Sequence, residues 1–351
     1  QSLRGKEKPA SSESKEPKQK PEEMTGQGKP ELPQQKPIPP MDVYSARECY
    51  LRAVIKDCSA VRLSGLDPNA SDPNRGGMSL EKLYVSLDTQ TPKEQPEEDE
   101  KKAGRKLPGR PGEEREPLSA LEASLTSDRR RVVLLGLPGT GKSTFVRYLA
   151  LSMAKAEMSR EAELPKDWKG RALVPFIISL GRFAETLPAD CRKGRAELVE
   201  NYLLQTLKDD ESAKDFAPLA LQTLEREGAL IMFDGLDEVA NLRLRPLVVQ
   251  AVDDFAEKYG GNSSNHFLVT CRTYSYQHDA EWKLTGWPTH ELALLSHEKI
   301  NYFIKAWYEE LPRIEPARKD EYAHKRKELL ETLQPDDRRH LLDIAMFPLI
   351  L

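Results

Sequence analysis

The stretch that most limits what this chain can fold into is RVVLLGLPGTGKSTFVRYL, running from Arg131 to Leu149. Four consecutive apolar residues, Val132–Leu135, meet a glycine. A loop of small residues follows, then Gly-Lys-Ser-Thr and apolar positions at helical spacing. An apolar run of this length that ends in glycine reads as a strand covered on both faces, and the 3.6-residue pattern after it reads as a helix. The segment Gly136-Leu137-Pro138-Gly139-Thr140-Gly141-Lys142-Ser143 fits GxxxxGK[ST] at every position and lies between such a strand and helix. Glycines let the backbone wrap closely round an anion, and the N–H groups of the loop and the helix N-terminus point at it. The pattern therefore assigns Lys142 to the β- and γ-phosphates of a nucleotide, Ser143 to a magnesium ion and Thr144 to the α- or β-phosphate.

The rest of the ordered text repeats the alternation. ALVPFIISL, GALIMFDGLDE, HFLVTCRT and THELALLS read as further strands. The helical patterns AELVENYLLQTL and LRPLVVQAVDDFAEKYG lie among them, the second closed by Gly260 and Gly261. Strand alternating with helix predicts an α/β fold, a parallel sheet with helices on both faces. After Ser296 the text is helical, which predicts a small helical domain. The third strand ends in acids. Asp234 stands at its C-terminal end, where ligands bind in open parallel sheets, and is assigned to Mg²⁺. Asp237 and Glu238 follow, and a second carboxylate is what activating a water requires. Arg272 comes at the end of the fourth strand, within reach of a γ-phosphate.

Five regions follow from composition. Residues 1–40, rich in Lys, Pro, Glu, Gln and Ser and lacking aromatics, read as a disordered linker. Residues 41–91 read as a helix and a short β-prone segment around Leu83–Leu87, packing on the domain that follows. Residues 92–116 read as a charged flexible insertion, 117–296 as the nucleotide-binding domain and 297–351 as the helical domain. The opening on Gln1 and the apolar ending IAMFPLIL read as the edges of a fragment of a longer protein.

Other features narrow the function. The net charge of −4 gives no bulk electrostatic pull toward nucleic acid. The basic clusters Arg129-Arg130-Arg131 and HKRK around Lys325 read as a solvated strand start and a helix face. Cys49, Cys58, Cys191 and Cys271 form no CxxC pair, which suits a reducing cytoplasm and gives no metal site. No apolar run approaches the roughly 20 residues that span a bilayer. No NKxD-like guanine motif follows the fourth strand, which favours ATP over GTP.

With these pieces placed, the sequence resembles the NACHT family of STAND nucleotide-binding proteins, in particular bacterial ones. The resemblance rests on GLPGTGKST, LIMFDGLDEV, FLVTCRTY and MFPLIL and covers about residues 117–351. It implies an ATP/ADP switch with Mg²⁺ that rests closed on ADP, opens and self-associates on activation, and hydrolyses ATP slowly. It further implies a sensor C-terminal to this chain that meets a trigger ligand, an effector or adaptor upstream, and a role in antiphage immunity. By resemblance Lys142, Ser143, Asp234 and Arg272 take the family's phosphate, metal and sensor positions. Pro348 falls where the family presents a proline to the adenine. An AAA+-like ATPase motor and a scaffold that holds nucleotide without turnover are the alternatives. Arg313, Arg318 and Arg326 are the arginines in the helical region that a motor could use.

Overall fold

A computed structural model describes residues 43–60, 78–90, 119–125, 130–159, 162–262, 264–278 and 282–333. In chain order these residues form α1 (Val43–Ser59), α2 (Leu80–Leu83), β1 (Thr89–Gln90), α3 (Ala120–Leu125), β2 (Arg131–Gly136), α4 (Lys142–Met158), β3 (Val174–Ser179) and α5 (Leu180–Glu185). They continue as α6 (Ala196–Asp209), α7 (Ala217–Gln222), β4 (Ala229–Asp234), α8 (Arg245–Tyr259), β5 (His266–Arg272), α9 (Thr273–His278), β6 (Thr289–Leu292), α10 (His297–Ile314) and α11 (Lys319–Thr332). The expectations for 1–40, for the insertion 92–116, for the last part of the helical domain, 334–351, and for Pro348 within it lie outside the described residues.

The sheet has the order β1-β6-β2-β5-β4-β3. Strands β6, β2, β5, β4 and β3 run parallel, and only β1 is antiparallel, to β6. The apolar runs explain the layers. Because successive side chains of a strand face opposite ways, each run feeds two cores. Val133, Leu135, Ile231, Phe233, Phe267 and Val269 join one cluster with Val199 and Leu203 of α6 and Val252 and Phe255 of α8. Val132, Leu134, Leu230, Met232 and Leu268 join the other, with Phe145 and Leu149 of α4 and Ile300 and Ile304 of α10. Each such side chain contributes about 1.5–3 kcal/mol on burial, so a charge at Val133, which is fully buried, would break the central strand.

Residues 43–60 and 78–90 pack in two places. On α1, Tyr50 donates its hydroxyl to Pro175 O at 2.6 Å and stacks on Phe176 and Phe216. Arg47 pairs with Glu157 of α4 and with Glu227. The segment around α2 is wedged between α4 and α10. Glu81 pairs with Lys155 at 2.6 Å and Tyr84 stacks on Tyr148, while Lys82 pairs with Glu310 at 3.1 Å and Asp88 with Lys299 at 2.6 Å. Met78 and Leu83 close a small core with Leu311 and Tyr322.

Three local expectations change. The β-prone segment Leu83–Leu87 is not a strand. Leu80 and Leu83, both buried, share one face of a helical turn, and the strand is Thr89–Gln90 instead. Tyr84 keeps extended backbone, φ −64° and ψ 126°, but its ring stacks on Tyr148 of α4 and the segment joins no strand among the described residues. Arg131 is no solvated strand start. It is buried, stands over the Trp287 ring, and donates to Glu257 Oε1 at 2.5 Å and to Ala256 O at 2.6 Å. A cation at the carbonyl end of α8 is well placed against the helix dipole. This also changes the role of Gly260. Its φ of −69° needs no glycine, but a Cβ there would meet Arg131 Nη2 at 2.5 Å.

Candidate functional site

The Gly136–Thr144 loop joins β2 to α4, and its fold follows from its small residues. Gly139 and Gly141 take φ of 81° and 89°, left-handed backbone that side chains resist. A Cβ on Gly136 would stand 2.6 Å from Thr140 Oγ1. Thr140 is buried and donates to Leu137 O at 2.9 Å, closing the turn. Lys142 opens α4 and turns its ammonium into the loop, donating to Gly136 O at 2.8 Å and Leu137 O at 3.0 Å. Burial draws Lys142 below the ordinary lysine value, Arg272 acts the same way, and Asp237 and Asp234 oppose them. Ser143 is exposed and Thr144 half-buried on the first turn of the helix, with Leu137 and Pro138 exposed at the loop's crest.

The sheet order places β5 between β2 and β4, so the loop and the acidic strand end converge from strands that are not neighbours. Three of the candidate acids stand at the end of β4. Asp234 accepts a 2.6 Å hydrogen bond on Oδ1 from the Thr270 hydroxyl. Gly235 follows in left-handed backbone, φ 77°, and starts a single 3₁₀ turn, Leu236–Glu238. That turn separates the two later acids. Asp237 faces inward and is engaged by Arg272 twice, through the guanidinium Nε at 2.7 Å and the backbone N–H at 2.9 Å. Glu238 is solvent-accessible and folds back over Gly235, where a Cβ would meet its Oε2 at 2.8 Å. Partial burial raises the Glu238 carboxyl above the ordinary carboxylate value, and Asp234 and Asp237 raise it further. Arg272 is 53% exposed, and its terminal Nη groups have no protein partner among the described residues. The Lys142 pKa responds to Asp234, Asp237 and Arg272, and that of Glu238 to Lys142 and all three, so loop, acids and arginine form one electrostatic unit. Pro348 is outside the described residues.

Two polar links are not readable from the sequence pattern alone. Thr270 is a lone hydroxyl in an apolar strand, and a buried polar group of that kind needs a partner, which is the signal that could have found it. Thr273, at the start of α9, donates to Glu291 of β6 at 2.7 Å, across the end of β2. Cys271 between them is buried, and burial with Asp237 pushes its thiol up to about 12, so it stays protonated at neutral pH.

Loop, strand order and acidic strand end make this a P-loop NTPase-like fold with an added helical region. No protein-family model and no curated protein matches the chain. Among solved structures the chain is similar to C. elegans PCH-2, at 14% identity and a TM-score of 0.32 over 55% of this chain and 43% of that one. It therefore spans less than half the length of that structure. No described helix is long and apolar enough to cross a membrane.

Proposed function

We propose that this chain binds ATP and ADP with Mg²⁺ and uses them as a slowly hydrolysed switch of the NACHT type. The observation that carries the reading is the meeting of the Lys142 loop with Asp234, Glu238 and the Asp237–Arg272 pair at one end of the parallel sheet. Lys142 and the loop N–H groups hold the β- and γ-phosphates. Arg272, half-exposed at the end of β5, would meet the γ-phosphate. Asp237 aims that arginine, which leaves Glu238 as the carboxylate that accepts a proton from the attacking water. A base raised above the usual carboxylate value is a stronger acceptor near neutral pH.

The motif implies magnesium, and the donors fit it. Ser143 supplies a hydroxyl and Asp234 a carboxylate, both hard oxygens. Among the described residues no group of three or more His, Cys, Asp or Glu forms a cage for a metal. Magnesium takes few protein ligands and completes its shell with water and phosphate oxygens. When bound it neutralises charge developing between the β- and γ-phosphates.

The wider reading rests on the resemblance: self-association of the nucleotide-binding domain, a cytoplasmic setting, a trigger met by a sensor outside this chain, an effector or adaptor upstream, and antiphage signalling. The test is ATP affinity and single-turnover hydrolysis for wild type, Asp234→Asn and Glu238→Gln. Asp234→Asn should weaken Mg²⁺-dependent binding. Glu238→Gln should keep binding and lose the general-base contribution, about 10²–10⁴-fold. Turnover of many ATP per second by wild type without any trigger would make a motor the better account.

A further inference from the structure

We infer that Thr270 is a positioning residue that fixes which oxygen of Asp234 meets the magnesium ion. The inference rests on the nucleotide reading above but concerns a residue that reading leaves out. Thr270 is 1% exposed and sits on β5, opposite Leu134 of β2 in register. Its Oγ1 accepts the Gly235 N–H at 2.8 Å and donates to Asp234 Oδ1 at 2.6 Å. The hydroxyl has one proton, so accepting from Gly235 and donating to Asp234 leaves it no alternative orientation. Oδ1 thus carries that hydrogen bond, and Oδ2, with no hydrogen-bond partner among the described residues, is the less encumbered oxygen for a metal. The geometry selects one rotamer of Asp234 and one coordinating oxygen.

The same hydroxyl bonds the N–H of the left-handed glycine that begins the Leu236–Glu238 turn. One side chain of β5 therefore sets both the metal-facing carboxylate and the start of the turn that carries Glu238. A partner of this kind, which orients a ligand without touching the metal, typically accounts for 10–100-fold in metal affinity.

The experiment uses the whole chain and two readouts besides turnover. One is the ratio of ATP affinities with and without Mg²⁺ by calorimetry. The other is Mn²⁺ affinity of the nucleotide complex by electron paramagnetic resonance. Thr270→Val keeps the shape and removes the hydroxyl, and both readouts should fall by about 10–100-fold. Thr270→Ser should restore them. Adding Thr270→Val to Asp234→Asn should cause no further loss, since Thr270 acts through that carboxylate. Should Thr270→Val fail to fold, Thr270→Cys, a weak donor of similar volume, takes its place and should lie below Thr270→Ser in Mn²⁺ affinity. A wild type that binds no ATP would overturn the function proposed above. A wild type that binds normally beside a Thr270→Val or Thr270→Cys protein with an unchanged Mg²⁺ ratio and Mn²⁺ affinity would overturn this inference alone. So would a further loss in the double variant.

Discussion

Replacing Gly235 by alanine tests the proposed catalytic geometry through the backbone, without removing any charged group. Two costs follow from the structure. The φ of 77° and ψ of 57° put residue 235 in left-handed helical backbone, which costs an L-residue about 1–2 kcal/mol. The new Cβ would also stand 2.7 Å from Glu238 Cδ and 2.8 Å from Oε2. Those atoms are the far end of a flexible side chain, so the carboxylate swings away at little further cost in stability. It leaves the position from which it would face the attacking water. For a domain of this size the strain lowers the melting temperature by about 2–4 °C per kcal/mol. ATP affinity should stay close to wild type, because Lys142 and Asp234 do not depend on the Gly235 Cα. Single-turnover hydrolysis should fall toward the level of Glu238→Gln, up to about 10²–10⁴-fold. Gly286 supplies the control. It has φ of 80°, and a Cβ added there would have no atom within 4 Å, so Gly286→Ala carries the backbone strain without the collision. It should lose comparable stability and keep its hydrolysis. If Gly235→Ala binds and hydrolyses ATP as wild type does, the carboxylate of Glu238 over Gly235 is not the base.

Lys142→Ala should lower ATP and ADP affinity by calorimetry about ten- to a hundredfold, since a charge-assisted contact is worth about 1.5–3 kcal/mol. The rate of single-turnover hydrolysis should fall on the acid side at a pH above the ordinary glutamate value, because protonated Glu238 cannot accept a proton and its pKa is raised; Glu238→Gln should remove that limb. His266 predicts an acid-sensitive fold. Arg130 Nη1 donates to its Nε2 at 3.0 Å, its buried Nδ1 has no partner among the described residues, and burial with Arg130 pulls its pKa down to about 4. The neutral form is the folded one, so this stability is present above the unfolded value near 6.5 and is lost as pH falls through about 4. Urea titrations should show a loss of at most about 3 kcal/mol over that window, and His266→Phe should flatten it.

The strands are legible in the sequence because burial on both faces demands uninterrupted apolar runs, and β2, β4 and β5 are written that way. The loop is legible for a related reason: left-handed backbone at Gly139 and Gly141 and the tight contact at Gly136 admit few residue types there. The short helices α5, α7 and α9 are not, since six residues carry too little periodicity to separate a helix from a turn. The pairings at the site are also beyond reach. Asp237 and Glu238 are adjacent in sequence and look interchangeable, yet the 3₁₀ turn sends one inward to Arg272 and the other back over Gly235. Thr270 reaches Asp234 only because β5 lies beside β4, and strand order is a property of the whole sheet. The burial of Arg131 is hidden for the same reason, as its hydrogen-bond partners are on α8.

The antiparallel strand at the edge of the sheet imposes an order on synthesis. Gln90 pairs with Glu291, made about 200 residues later, and Lys82 and Asp88 find Glu310 and Lys299 later still. On the ribosome the segment wedged between α4 and α10 therefore waits, with Leu80 and Leu83 uncovered on that side, until the helical region emerges. At about 5–20 residues per second that wait lasts on the order of ten seconds or more. The loop Gly136–Thr144 and helix α4 are complete early in that interval, but Asp234 and Thr270 are not. On the reading proposed above, the loop assigned to phosphate precedes the carboxylate assigned to magnesium during translation, and a nascent chain that met nucleotide in that window would meet it without Asp234.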